Sequence, residues 1–591
     1  MPITHPKVDV VVIGLGVAGG IVATELAIAG HTVVGIDKGS YWDYATDWTV
    51  DRKSDEWSTV MEHQYDHSLS LWSVTLRHNT SQVALPLRRY VPGMNWVMGN
   101  GVGGAAIHYS AGLGRFGPWA FQAYSNTVNK YGAGVLPTNH DLEDWPISYD
   151  DAVPYYNEFE KSWGITGLNQ DPFTPNAQYP LPPHPTTPVA EAFKSAAESM
   201  GYHPRHAVTG IVSMPYVNQY GVTRSPCAYD GFCGGAEGCA YYCETGAKTS
   251  THVSHIPAAL KTGYFTMVLN SVVDRINVDS LGNATGVNYL DVQGNVHVQP
   301  ASVVFAGAYL VNNMRLLFLS GVGTPYDPVT QTGSLGRGFH HGGGAAGVTN
   351  ASGTLSMGGN GYPAGNAVGG SYTIEDFADD NFLHNGLNFI GGANIAIGGY
   401  LGGSPHTFTT IPRTPGNIGS TAKAALKDSK LPTKLLLSLS PSGPLLPTTD
   451  NYTSLDPHYS DVYGDPLLRC TVDFNQNSWA AADYIAPKAA DILTKMGCTN
   501  VKVTNAQPLS THPNGSNIHY RGGMRMGSNA QTSVTNKWLQ LWSVQNLFAC
   551  SESSDTFGDN TSAGTHVIGM MSYIAADGIK KYLAGGGNLV P

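Results

Sequence analysis

The run Gly14-Leu15-Gly16-Val17-Ala18-Gly19 constrains this chain more than any other stretch. It follows a strand-like segment, Val8 to Ile13, and leads into a helical pattern from Ile21 to Ile28. A second strand, Thr32 to Ile36, then ends in Asp37. Glycines at this spacing allow a tight turn and a close backbone approach to a pyrophosphate, whose charge faces the helix N-terminus. An acid roughly twenty residues further on is placed to bond a ribose hydroxyl, and Asp37 lies at that distance. The order strand, turn, helix, strand, acid therefore predicts a dinucleotide site built from Gly14, Gly16, Gly19 and Asp37 in an α/β fold. The apolar run 8–30 does not read as a signal peptide or a membrane span. Asp9 and Glu25 interrupt it, and no basic region precedes it.

A chain of 591 residues exceeds the size at which a single core keeps growing, so two interleaved domains are expected. Charged residues make up only 13%, against 71 Gly and 36 Pro, which favours a loop-rich globular body. The net charge of −11, without clustered Lys and Arg, argues against a nucleic-acid partner. The Pro-rich segment 166–188 reads as a connection between domains. The glycine-dense stretch from Gly342 to Gly403 reads as sheet and loops walling a pocket. Apolar spacing predicts a helix from Ser478 to Met496, stopped by Gly497, and a closing helix from Thr565 to Tyr582.

Of seven cysteines, Cys470, Cys498 and Cys550 stand singly in apolar surroundings and read as core. The other four, Cys227, Cys233, Cys239 and Cys243, fall in one glycine-rich stretch, with five, five and three residues between them. Three readings compete. Disulfides need an oxidising compartment, and a chain this large does not need staples. Structural zinc usually shows two close pairs separated by a longer loop. Thiolates gathered by glycine-rich loops also suit an iron–sulfur cluster.

Several ordered segments carry a family likeness. They are Gly101-Val-Gly-Gly-Ala-Ala-Ile-His-Tyr109, Val303 to Ala308 followed by Arg315-Leu316-Leu317, Gly333 to His340, Pro466 to Phe474, and His519-Tyr-Arg-Gly-Gly-Met-Arg-Met-Gly527. Together with the N-terminal turn they resemble, from end to end, the glucose-methanol-choline (GMC) oxidoreductases. The likeness is greatest to the flavoprotein subunits of gluconate, fructose and glucoside dehydrogenases. The resemblance implies a Rossmann-like FAD-binding domain interleaved with a sheet-containing α+β substrate domain. The FAD-binding parts would be 1–165, 249–325 and a closing part, 506–591. A substrate-domain excursion would take 166–223, a Cys-rich iron–sulfur segment 224–248, and the main substrate domain 326–505.

The same resemblance implies roles for particular residues. Gly101, Gly103 and Gly104 pack against the flavin and Val273 joins the cofactor site; Glu552 stands where relatives usually carry a small residue or Asp beside the flavin, so it either approaches the cofactor or lies in a surface loop. His108 is placed either to bond flavin C8α or to contact the ring without a bond. His519 takes the proton of a substrate hydroxyl; imidazole, with an ordinary pKa of about 6.5, suits a base near neutral pH. The position of the second pocket residue falls at Ala563, so either the turn is shifted and His566 or Asn560 fills that role, or the pocket lacks that partner. Cys233, Cys239 and Cys243 match a three-iron set, with Cys227 as a fourth ligand in a four-iron one. The implied enzyme oxidises a hydroxyl of a sugar, polyol or sugar acid to a carbonyl and passes electrons through the cluster to a cytochrome or quinone. A small companion subunit is also implied. Location is either periplasmic, by co-export with that partner, or cytoplasmic, with no transmembrane segment of its own. A GMC-type oxidase with structural cysteines is the alternative.

Overall fold

The computed structural model describes residues 2–43, 72–88, 99–169, 171–228, 243, 245–341, 350–356, 369–397, 434–442, 446–504, 519–558 and 564–589. Asn560, Cys233 and Cys239 lie outside these residues.

The chain enters through β1 (Val8–Ile13), α1 (Val17–Ile28) and β2 (Val33–Ile36). The helix begins four residues before the sequence pattern predicts, directly after Gly16. Helix α2 (Tyr149–Trp163) starts with a capping box in which Ser148 and Asp151 exchange hydrogen bonds. Strands β3 (Phe265–Val268), β4 (Val272–Val278), β5 (Ala284–Leu290) and β6 (Val296–Ala306) follow, then helix α3 (Leu310–Leu319). Near the C-terminus come β7 (Leu547–Ala549) and α4 (Gly564–Gly585).

These strands form one eight-stranded sheet in the order β3-β2-β1-β6-β5-β4, with β7 and the short strand Ile3–Thr4 also paired to β6. The pairs β3–β2, β2–β1, β1–β6 and β6–β7 are parallel, whereas β6–β5 and β5–β4 are antiparallel. Val10, Val11 and Val12 are all fully buried. A strand with no exposed face has no reason to alternate, as expected when both sides of a parallel sheet are covered. One side packs on α1 and α4 through Val22, Leu26, Met571 and Ile574. The other packs on α3 through Leu310, Met314 and Leu317.

A second sheet of six antiparallel strands runs Thr499–Thr504, Asn350–Ser356, Lys434–Ser442, Asn394–Ile397, Tyr372–Ile374 and Arg205–His206. Helices Pro188–Ser199 and Gln476–Lys495 share a core with it, including Phe193, Ile374, Ile395, Ile485 and Ile492. The second helix is capped by the Asn475 side chain and ends before Gly497, whose φ is +85°. Strand Pro466–Thr471 belongs to neither large sheet. It pairs with Trp72–Arg77 and Tyr452–Ser460, and its Leu468 and Cys470 close the core beneath the first sheet. Among the described residues no helix is long and apolar enough to cross a membrane.

Candidate active site

The glycine turn after β1 is built against two further segments. Gly14 has φ +81°, and a side chain there would come within 2.9 Å of Ala308 Cα. A methyl at Gly19 would overlap the Gly14 carbonyl, so the turn closes only without one. The second glycine segment lies directly against the first: Gly103 N–H donates to Leu15 O at 2.9 Å. A Cβ on Gly104, whose φ is +56°, would stand 2.9 Å from Gly16 Cα. Gly101 also has positive φ, at +111°. The third segment is Ser250–His252, where the Thr251 hydroxyl reaches Leu15 O and Gly16 O at 3.2 Å each. Sequence reasoning missed it, since a Ser-Thr-His stretch carries no nucleotide signature of its own.

Asp37 is buried and held by the turn it follows, accepting from Leu15 N–H at 2.8 Å and Gly39 N–H at 2.9 Å. Burial raises its pKa, while those two N–H groups work in the opposite direction. Each carboxylate oxygen keeps a lone pair beyond the one used. Val273 sits in β4 opposite Tyr289, half-buried against the sheet core. His108 ends the 3-10 turn Gly104–Ile107 and is buried. The bare backbone cradle and the anchored acid fit a bound dinucleotide.

His519 opens the C-terminal motif and retains exposed surface. Protein nevertheless surrounds most of it: burial, and then the Arg521 charge, bring its pKa down to about 4. The imidazole is therefore unprotonated at neutral pH, the form that can accept a proton. The residues after it are laced to 552–554 by main-chain bonds: Gly522 N–H to Glu552 O, Met524 N–H to Ser553 O, and Met526 N–H to Ser554 O, at 3.1, 2.9 and 3.0 Å. Tyr520 and Arg521 pair with His341 and His340, and Tyr520 stacks on Phe339 at 4.9 Å.

This lacing places two acids around one guanidinium. Arg521 Nη1 lies 3.2 Å from Asp555 Oδ2, both buried, and the guanidinium covers the Phe116 ring. Glu552 lies in a 3-10 turn, with its Oε1 against Gly564 at the start of α4. Burial outweighs Arg521 and raises Glu552 to about 7 and Asp555 to about 6. Arg521 was visible in the motif, but nothing local marked Asp555, which sits in a polar run that reads as a loop.

His566 is fully buried on α4, where its Nε2 lies 2.9 Å from Glu160 Oε1 and its ring meets Tyr156 and Phe159. Burial lowers its pKa despite Glu160. The structure thus holds His566 in a charged network inside the protein, with no open surface.

The cysteine-rich stretch is described at its two ends. Cys227 and Cys243 both pack against a small apolar cluster of Ala111, Ile211 and Ala247, together with Tyr109. Cys243 Sγ accepts the Lys248 N–H at 3.2 Å, and Lys248 Nζ donates to Tyr109 O at 3.0 Å. Among the described residues no group of three or more His, Cys, Asp or Glu is arranged to hold a metal ion. The soft thiol pair suits iron or zinc in donor type. Cys470, Cys498 and Cys550 are buried, as expected of core residues.

Two GMC oxidoreductase family models match the chain, over residues 146–342 and 447–571. The gluconate 2-dehydrogenase flavoprotein of Pantoea cypripedii is 32% identical, with 99% of this chain and 95% of that protein aligned. The fructose dehydrogenase large subunit of Gluconobacter japonicus is 25% identical over 97% of each. Among solved structures, a formate oxidase from Aspergillus oryzae RIB40 superposes with a TM-score of 0.61 at 14% identity, covering 99% of this chain and all of that one. Pyridoxine 4-oxidase from Mesorbium loti gives 0.59 at 15%, covering 98% and 99%. Those two likenesses concern the fold alone. The chain belongs to the GMC oxidoreductase family and is an FAD-dependent oxidoreductase acting on CH–OH groups.

Proposed function

We propose that this protein is the flavoprotein component of a dehydrogenase that oxidises a hydroxyl of a sugar, polyol or sugar acid to a carbonyl. The full-length likeness to a gluconate 2-dehydrogenase flavoprotein supports the substrate class. Bound FAD would supply the acceptor for the hydride leaving the carbinol carbon. His519 takes the hydroxyl proton; a neutral, partly exposed imidazole is competent for that step. Gly14, Gly16, Gly19, Gly101, Gly103, Gly104, Asp37 and Val273 hold the cofactor, and Glu552 sets the charge beside it. Asn560 is the better second pocket residue, because His566 is committed to Glu160. His108 is the position for a covalent flavin bond, testable by whether acid-precipitated protein stays yellow and loses its colour in His108→Ala.

The cysteines at 227, 233, 239 and 243 form an iron–sulfur relay in this reading, passing electrons singly to a cytochrome or quinone on or near a companion subunit. One observation carries it: Cys227, Cys243 and Tyr109, the residue next to His108, all pack on the same small cluster of Ala111, Ile211 and Ala247, which brings the ends of the cysteine-rich stretch near the flavin segment. An absorption spectrum with iron analysis of the purified protein, followed by anaerobic titration with gluconate, fructose and polyols, tests the whole reading. Flavin bleaching with iron present supports it. Bleaching without iron, with fast reoxidation by dioxygen, would transfer the protein to the oxidases.

A further inference from the structure

Glu552 stands where the nucleotide edge of the first sheet meets the histidine motif. Cys550 N–H donates to Ala306 O and Gly307 N–H to Ile13 O, so the chain leaves β7 beside the ends of β6 and β1. Residues just past the carboxyl ends of parallel strands line the crevice in which open α/β sheets bind their ligands. From the other side, Gly522 N–H donates to Glu552 O at 3.1 Å, three residues after His519. Two carboxyl groups share Arg521 here. Asp555 Oδ2 lies 3.2 Å from Arg521 Nη1, each residue being 1% exposed. A side chain on Gly564 would overlap Glu552 Oε1 and come 3.8 Å from Arg521 Nη2, so the second carboxyl and the guanidinium meet at the first residue of α4. Two carboxylates crowded around one guanidinium repel each other, which favours a proton on one of them. Asp555 has the direct ion pair, whereas Glu552 keeps part of its surface open, a way in and out for a proton. Burial, opposed by Arg521 and assisted by Asp555, brings Glu552 to about 7. Four other titratable groups face this cluster: Tyr309 before α3, Tyr156 on α2, His340 and His519. Burial drives those tyrosines up and those imidazoles down, so none of the four exchanges a proton near pH 7.

We infer that Glu552 is a proton-holding residue for the reaction: it takes up a proton as hydride reaches the bound flavin and gives it back when the electrons leave. This rests on the reading above that Glu552 stands beside the cofactor. The alcohol loses a hydride from its carbinol carbon and a proton from its hydroxyl. The hydride carries both electrons to the flavin, His519 takes the hydroxyl proton and passes it to solvent, and the Glu552 carboxylate takes one proton up. The negative charge that arrives is thereby offset by neutralising one already present, since a nearby charge of like sign favours the protonated acid. Passing two electrons to the external acceptor removes that charge, and Glu552 releases its proton.

The test is the reduction potential of the bound flavin in the full-length protein, titrated with dithionite and mediator dyes from about pH 6 to about pH 9. One extra proton per flavin changes the equilibrium constant tenfold for each pH unit, which is about 30 mV for a two-electron couple. Just above pH 7 the wild-type potential should therefore fall with pH about 30 mV per unit more steeply than that of Glu552→Gln. Glu552→Asp, which still ionises, should keep a steep segment, and Asp555→Asn, which removes the repulsion, should move that segment to lower pH. No substrate is needed, so an error in the substrate class leaves the result untouched. A constant offset between parallel wild-type and Glu552→Gln lines would keep Glu552 beside the flavin as a polar group and overturn its proton role. Coincident lines would remove it from the cofactor site and overturn the reading and the inference together. If Glu552→Gln loses its flavin, the wild type decides alone: a single unbroken slope across the range would overturn the inference.

Discussion

Arg115 and Glu160 form a fully buried, two-point ion pair, with Nε to Oε1 and Nη2 to Oε2 both at 2.7 Å. Glu160 also meets His566, so the pair ties α2 to α4, the helix whose first turn abuts Glu552. Burial opposes the Glu160 charge, yet the Arg115 and His566 hydrogen bonds prevail and hold its pKa below the usual value.

Removing one partner strands a buried charge. Arg115→Met should therefore destabilise the protein by about 3–5 kcal/mol, whereas replacing the pair together with apolar residues of similar volume should cost much less. Urea unfolding midpoints of the single and double variants decide this. A single variant within about 1 kcal/mol of wild type would count against a buried pair.

His519→Ala should leave flavin content unchanged and slow flavin reduction by substrate at least about 100-fold, the lower figure for a general base. Because the folded pKa lies near 4, below the ordinary value, the base form persists through neutral pH. The rate should stay flat from about pH 8 to about pH 5 and fall only as pH drops towards 4. Stopped-flow bleaching across that range checks both points; an acid limb centred near 6.5 would contradict the depressed pKa.

Gly104→Val places a branched side chain at φ +56° and against Gly16 Cα. The variant should lose most of its flavin, read as the ratio of absorbance near 450 nm to protein absorbance. Retention of full flavin would mean that the two glycine segments do not need to touch.

Glu552 and Asp555 carry raised folded pKa values, about 7 and about 6, against unfolded values of about 4. The unfolded chain therefore releases their protons first as pH rises, and this contribution to stability is lost between about pH 4 and pH 7. Glu552→Gln cannot ionise, so it should flatten that part of the profile and gain on wild type at pH 8 relative to pH 5. Thermal unfolding across the range, at fixed ionic strength, gives the comparison. Parallel profiles would mean that Glu552 titrates normally.

How much was legible in the chain follows from how local each signal is. The β1 turn, the pattern behind Gln476–Lys495 and the apolar settings of Cys470 and Cys550 depend on neighbours a few residues away, and they were read directly. The start of α1 was read late because Val17-Ala18-Gly19-Gly20 has little helical bias, and packing against α4 and Thr251 extends the helix. Glu160 sits on a helix whose sequence gives it no reason to be buried. Only Arg115, 45 residues earlier, and His566, 406 residues later, make that burial tolerable.

The sequence by itself determined the class of cofactor turn, the histidine motif and the gathering of four cysteines, because each is a spacing within one short segment. Tertiary structure alone decided that Gly104 lies on Gly16, that Asp555 meets Arg521, and that Cys227, Cys243 and Tyr109 share one apolar cluster. Those contacts join segments distant along the chain. Their pairing is chosen by which apolar faces bury together and which buried charges then find partners, and neither choice is written into any local pattern.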